Sequence, residues 1–121
     1  SEVEKVYEIL WHATDAGIDA AKPGVSTFDI FNAMNNVISQ GNIIGNNVGR
    51  LGHGLGLQLT EPPSHRPGDN TIIKENMVLT IEPGMEYQEG KMIVHEENIV
   101  IHKDGAELIT KRAPKEIPII K

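Results

Sequence analysis

The sequence predicts an α+β fold, with helices first and sheet second, because its hydrophobic period changes part-way along the chain. From Val3 to Ile38 apolar residues recur in steps of three and four, the spacing of one buried helical stripe. From Met77 to His102 they gather instead in short Ile- and Val-rich runs broken by turn residues, the signature of strands. A chain of 121 residues with 39% apolar side chains suffices for one core, so residues 1–121 read as a single domain.

The first helix follows from Val3, Val6, Leu10, Ala13, Gly17 and Ala20, and Lys22-Pro23-Gly24 stops it. Ser26 with Asp29 three residues on reads as a capping box, from which Phe28, Phe31, Met34 and Ile38 form a second stripe. Six of the 12 glycines then lie between Gly41 and Gly56, where backbone must approach something closely. A polar loop is expected from Glu61 to about Asn70. Strands follow over Met77–Glu82 and Lys91–His102, Lys103-Asp104-Gly105 turns the chain, and Glu107 to Thr110 adds a short strand. Pro114 and Pro118 keep the tail irregular.

Composition removes several function classes. Seventeen acidic against 11 basic residues give a formal charge of −6, which opposes binding to a phosphate backbone, so no nucleic-acid partner is expected. Cysteine is absent, leaving His and carboxylates as metal ligands. No apolar run reaches the roughly 18 residues of a membrane span, and the N-terminus lacks the features of a targeting segment, so a cytoplasmic location away from membranes is expected. The chain opens on Ser and enters a helical pattern almost at once, as a segment of something longer would.

Three local patterns invite chemistry. In Gly52-His53-Gly54-Leu55-Gly56 an imidazole stands between residues of bare backbone; the segment is either a site or a bulged glycine-rich strand carrying an incidental histidine. Leu57 to Pro63 cannot begin a helix, which excludes a dinucleotide or phosphate loop. Thr80-Ile81-Glu82-Pro83-Gly84 sets a carboxylate at the end of an apolar strand. In His95-Glu96-Glu97-Asn98, alternation puts Glu96 on one sheet face with Val94 and Asn98, and Glu97 on the other with His95 and Ile99. One of the two glutamates therefore points somewhere dry. A hairpin turning about Glu89 would place Glu82 directly opposite Glu96, and two facing carboxylates repel unless they share a proton or a cation. The competing arrangement is a bulge at Pro83-Gly84 that slips the register and sends one glutamate to solvent. A zincin motif is excluded because position 99 is Ile, and no G-x-S-x-G elbow is present. His12, His65 and His102 read as surface histidines.

Taken in order, Gly52–Gly56, Glu61-Pro62-Pro63, Glu75–Gly84 and His95–Val100 resemble the pita-bread superfamily, the group of aminopeptidase P, prolidase, methionine aminopeptidase and creatinase. The resemblance implies the C-terminal part of that fold, with two helices packed on one face of a curved, mostly antiparallel sheet. It also implies two divalent metal ions, manganese, cobalt or zinc, held by two Asp, one His and two Glu. His53 matches the histidine, Glu82 the first glutamate and catalytic proton acceptor, and Glu96 the bridging glutamate. The family's two Asp lie on strands before the helix pair; Asp15, Asp19, Asp29, Asp69 and Asp104 stand on helices or in turns and do not replace them.

The implied activity is hydrolysis of a C–N bond in a peptide or a small amide or amidine, of the Xaa-Pro dipeptidase and aminopeptidase P kind, by a homo-oligomer of which this chain is a segment expected to be inactive alone and to bind metal weakly. Xaa-Pro peptidases place substrate-holding histidines where this chain has Gly49 and Thr60, which leaves Thr60 as the candidate substrate-binding residue. The alternatives are a non-catalytic pita-bread binding module and a creatinase-like or lyase relative acting on a small non-peptide substrate.

Overall fold

The computed structural model describes residues 1–41 and 49–121; Gly45, one of the clustered glycines, lies outside the described residues. Helix α1 spans Glu2–Ala20 and α2 spans Thr27–Ile38. The Ser1 hydroxyl caps α1, and at α2 the expected capping box is complete, Ser26 and Asp29 each accepting from the other's backbone N–H. The buried face of α1 is Val6, Leu10, Ala13, Thr14 and Gly17, with Val3 more exposed than its place in the stripe predicts. In α2 the buried residues are Thr27, Ile30, Met34 and Ile38, so the stripe is rotated from the expected one. Phe28 and Phe31 stack on each other at 6.2 Å, half-buried.

The strands are β1 (His53–Gly54), β2 (Glu61–Ser64), β3 (Val78–Ile81), β4 (Gly84–Gln88), β5 (Lys91–Val94), β6 (Glu97–His102) and β7 (Gly105–Leu108). Their order is β2-β1-β3-β6-β7 in one sheet and β4-β5 in another, and every described pairing between strands is antiparallel. Three expectations are corrected. The Glu61–Asn70 segment begins as an edge strand, where prolines are tolerated because one side of the strand needs no ladder donor. The last strand ends at Leu108, two residues before the expected Thr110, whose hydroxyl is used by Glu97 instead. The long strands expected over Met77–Glu82 and Lys91–His102 are each interrupted or shortened at the acidic positions, leaving Glu82 and Glu96 outside the ladders.

The core lies between the helices and one face of the larger sheet, with Leu10, Ile30, Met34, Leu79, Ile81, Ile99 and Ile101 almost fully buried. At Gly17 of α1 a Cβ would strike the Met34 and Ile81 side chains, so an Ala there would overpack the contact with α2 and β3. Because strand faces alternate, the residues between the core positions, Thr80 and Glu82 on β3 and its end and Asn98 on β6, belong to the opposite face.

Candidate metal centre

From Val78 to Glu86 the register is the one a hairpin about Glu89 requires, while a bulge between Glu86 and Gln88 pairs Gln88 with Lys91 and puts the turn at Glu89-Gly90. Ile81 pairs with Glu97 in one ladder and Gly84 with Val94 in the other, and between them the His95 N–H donates to the Pro83 carbonyl at 2.9 Å. No slip occurs at Pro83-Gly84, so Glu82 lies across from Glu96. Burial, and then the charge of Glu82, push the Glu96 carboxyl above its usual range, with His53 opposing the rise.

His53 comes to this face from β1. Its ring is buried, the Nδ1–H donates to the Gly54 carbonyl at 2.8 Å, and Nε2 is thereby turned to Glu82 Oε1 at 3.2 Å. Its backbone N–H donates to the Thr80 hydroxyl at 3.0 Å, and that hydroxyl lies 3.5 Å from Glu82 Oε1. The bare backbone on either side is filled by the protein itself: a Cβ at Gly52 would meet the Thr80 carbonyl and the His65 ring, and one at Gly54 the Pro62 carbonyl. His53 and Glu82 therefore meet and Glu96 faces them from the link between β5 and β6, yet among the described residues no three His, Cys, Asp or Glu side chains gather closely enough to hold an ion. Thr60 is exposed on the bend before β2.

The dry glutamate is Glu97, only 2% exposed on the helix-facing side. It accepts from the Thr110 hydroxyl at 2.6 Å, the Ala113 N–H at 2.7 Å and Arg112 at 3.4 Å. Arg112 also pairs with Asp15 at 2.9 Å and lies over the Trp11 ring at 4.4 Å. Asp29 caps α2 and Asp69 accepts from Ser64, Thr71 and Thr27, so three of the five aspartates are committed to structure.

Histidines outside the motif divide. His12 and His102 are about half exposed, as expected. His65 is not a surface residue: it is fully buried, with Nε2 at 3.0 Å from the Thr80 carbonyl. Its polar neighbours Ser64 and Arg66 conceal this in the sequence; Thr80 also went unread, though strand alternation puts it on the face of Glu82, two residues on.

The sequence pattern of metallopeptidase family M24 matches residues 1–103. The chain belongs to that family. It is 33% identical over 107 residues to the Xaa-Pro dipeptidase of Pyrococcus furiosus, covering 88% of this chain and 31% of the relative. Among solved structures it resembles the X-Pro aminopeptidase of Thermotoga maritima, with TM-score 0.86, 32% identity, and coverage of 99% of this chain and 33% of that one. Dipeptidase PepE of Mycobacterium ulcerans gives TM-score 0.85 at 31% identity, with coverage of 95% and 31%. The chain thus spans about a third of the length of the relatives it matches. The two helices on an antiparallel sheet are the part of the M24 pita-bread fold that the motifs implied.

Proposed function

We propose that His53, Glu82 and Glu96 are this chain's contribution to a divalent-metal centre in a C–N hydrolase of the Xaa-Pro dipeptidase and aminopeptidase P kind. The observation that carries the reading is the facing of Glu82 and Glu96 with the His53 Nε2 turned to Glu82 at 3.2 Å. The donor set fits: one imidazole nitrogen whose other nitrogen is held by a carbonyl, as metal-binding histidines require, and two carboxylates with no thiolate suit manganese, cobalt or zinc. With the Glu96 carboxyl raised by burial and by the charge of Glu82, a cation at the pair would favour its ionised form.

When bound, such ions supply a water of lowered pKa and an electrophile for a carbonyl oxygen. In such a centre Glu82 would serve as the proton acceptor on its carboxylate, and Thr60 would offer a hydroxyl to the substrate. Two further carboxylates, Asp in the family the motifs resemble, would come from outside this chain. A cytoplasmic homo-oligomer, with the chain forming the C-terminal segment of its catalytic domain, completes the reading; among the described residues no helix is long and apolar enough to cross a membrane.

The test is turnover by the complete protein with manganese or cobalt on Xaa-Pro dipeptides and small amidines, beside Glu96→Gln. Turnover lost in the variant supports the reading. Neither turnover nor bound metal would replace it with a non-catalytic binding module, and turnover of amidines alone would move it to creatinase-like chemistry.

A further inference from the structure

We infer that His65 is a positioning residue for His53 and Glu82, acting through Thr80; its bearing on metal rests on the function proposed above. One rung of the sheet lacks one of its two backbone bonds. Gly54 is registered opposite Leu79, and on either side the strands are held by Leu55 N–H to the Val78 carbonyl at 3.0 Å and Glu82 N–H to the Leu51 carbonyl at 3.0 Å. The rung between them sets His53 against Thr80, and antiparallel pairing would have the His53 N–H donate to the Thr80 carbonyl. Instead that N–H goes to the Thr80 side-chain hydroxyl, and the Thr80 carbonyl takes the Nε2–H of His65.

The donor and the acceptor of this one missing bond are thus each satisfied by a side chain. Gly52, at φ +137°, permits the opening, since any Cβ there would collide with the Thr80 carbonyl and the His65 ring. The His65 backbone closes the wedge from the other side: its N–H donates to the Gly52 carbonyl at 3.1 Å, and its carbonyl accepts from Leu51 N–H at 2.9 Å. One residue therefore holds the segment before His53 by its main chain and the strand before Glu82 by its ring.

The consequence falls on the site because Thr80 is shared. With its carbonyl engaged by His65, the Thr80 hydroxyl is left to accept from His53 and to lie against Glu82. Without the imidazole, the buried Thr80 carbonyl has no partner and draws the His53 N–H toward it, closing the rung and carrying the His53 ring off Glu82.

The experiment compares His65→Leu, which fills the space without a donor, with His65→Gln, which offers an N–H from a similar reach. Thr80→Val and Thr80→Ser form a second pair that keeps the shape of the strand while removing or retaining the hydroxyl. Nuclear magnetic resonance of the metal-free chain, at a temperature where each variant is folded, reads the His53 ring-nitrogen shifts and χ1 rotamer. Cobalt titration of the complete protein reads affinity separately.

Expected are moved His53 signals in His65→Leu and Thr80→Val, near wild-type signals in His65→Gln and Thr80→Ser, and cobalt affinity weakened about ten- to a hundredfold in His65→Leu and Thr80→Val only. Unchanged His53 signals in both His65→Leu and Thr80→Val overturn the inference. So does an equal change in His65→Gln and His65→Leu, which would mark a packing role alone. If wild-type protein binds no cobalt while the His53 signals still follow the pattern, the positioning role stands and the metal reading falls.

Discussion

At the scale of single residues, the two most buried ionisable groups outside the proposed centre stabilise the fold by opposite means. His65 must stay neutral: burial lowers its pKa to about 4, with nearby His53 adding to the fall and the bond to the Thr80 carbonyl opposing it. The unfolded chain, with a pKa near 6.5, binds more protons between those values, so stability is full above that range and falls as pH drops through it. From pH 6.5 to 5 the loss should be about 2 kcal/mol in urea titrations, and His65→Gln should remove that part of the slope. A variant with an undiminished slope would assign the loss to other groups. Glu97 is instead enclosed by hydrogen-bond donors from the C-terminal segment. Removing it in Glu97→Ala leaves the Arg112 guanidinium without its buried partner, with an expected cost of about 3–5 kcal/mol. Arg112 lies on the chain's single tryptophan, so the fluorescence of Trp11 should shift as well. An unaltered spectrum with unaltered stability would show that the network contributes nothing.

At the scale of elements, Asp69 shows how an irregular connection is fixed. Its carboxylate accepts from Ser64 N–H at 2.8 Å, Thr71 N–H at 3.0 Å, the Thr71 hydroxyl at 2.7 Å and the Thr27 hydroxyl at 2.9 Å, tying β2 to the start of α2. Burial alone would raise its pKa, but these donors together outweigh it and hold the carboxyl well below the usual carboxylate range. Its contribution is therefore present above the ordinary carboxylate pKa and lost only as pH falls below it, a window separate from that of His65. Asp69→Ala should cost about 2 kcal/mol and speed amide exchange at Ser64 and Thr71 ahead of the core strands. Uniform exchange would show that the loop does not depend on the carboxylate. The contrast with what the sequence discloses is physical. The hairpin about Glu89 was legible because register there follows from local chain reversal and alternation, and the capping box because its partners are three residues apart. The seat of His65 was not, because it depends on β2 meeting β1 through a register that shifts between His53 and Gly54. Pro62 and Pro63 make the same segment read as loop. The rotated stripe of α2 was missed for a related reason: two phenylalanines stacked on each other satisfy their burial sideways, leaving Ile30 to face the core.

At the scale of the whole molecule, the helices cover one face of the larger sheet and the proposed centre occupies the other, so packing and chemistry divide along strand alternation. Glu96 and Glu97 state the division within two residues: one carboxylate is turned to the facing Glu82 and the other is sealed among donors from the C-terminal segment. Sealing Glu97 fixes the backbone beside Glu96, but among the described residues no third ligand gathers with His53 and Glu82. Facing carboxylates without a cation relieve their repulsion by sharing a proton or turning to solvent, which the raised Glu96 pKa already favours. An ion arriving at this chain alone must reverse that relaxation with few ligands, where a centre completed by further carboxylates would meet them already oriented. Calorimetric titration of the isolated chain with manganese should therefore show weak binding or none, and Glu96→Gln should change little. Micromolar binding by the chain that the variant loses would show that His53, Glu82 and Glu96 suffice to hold an ion.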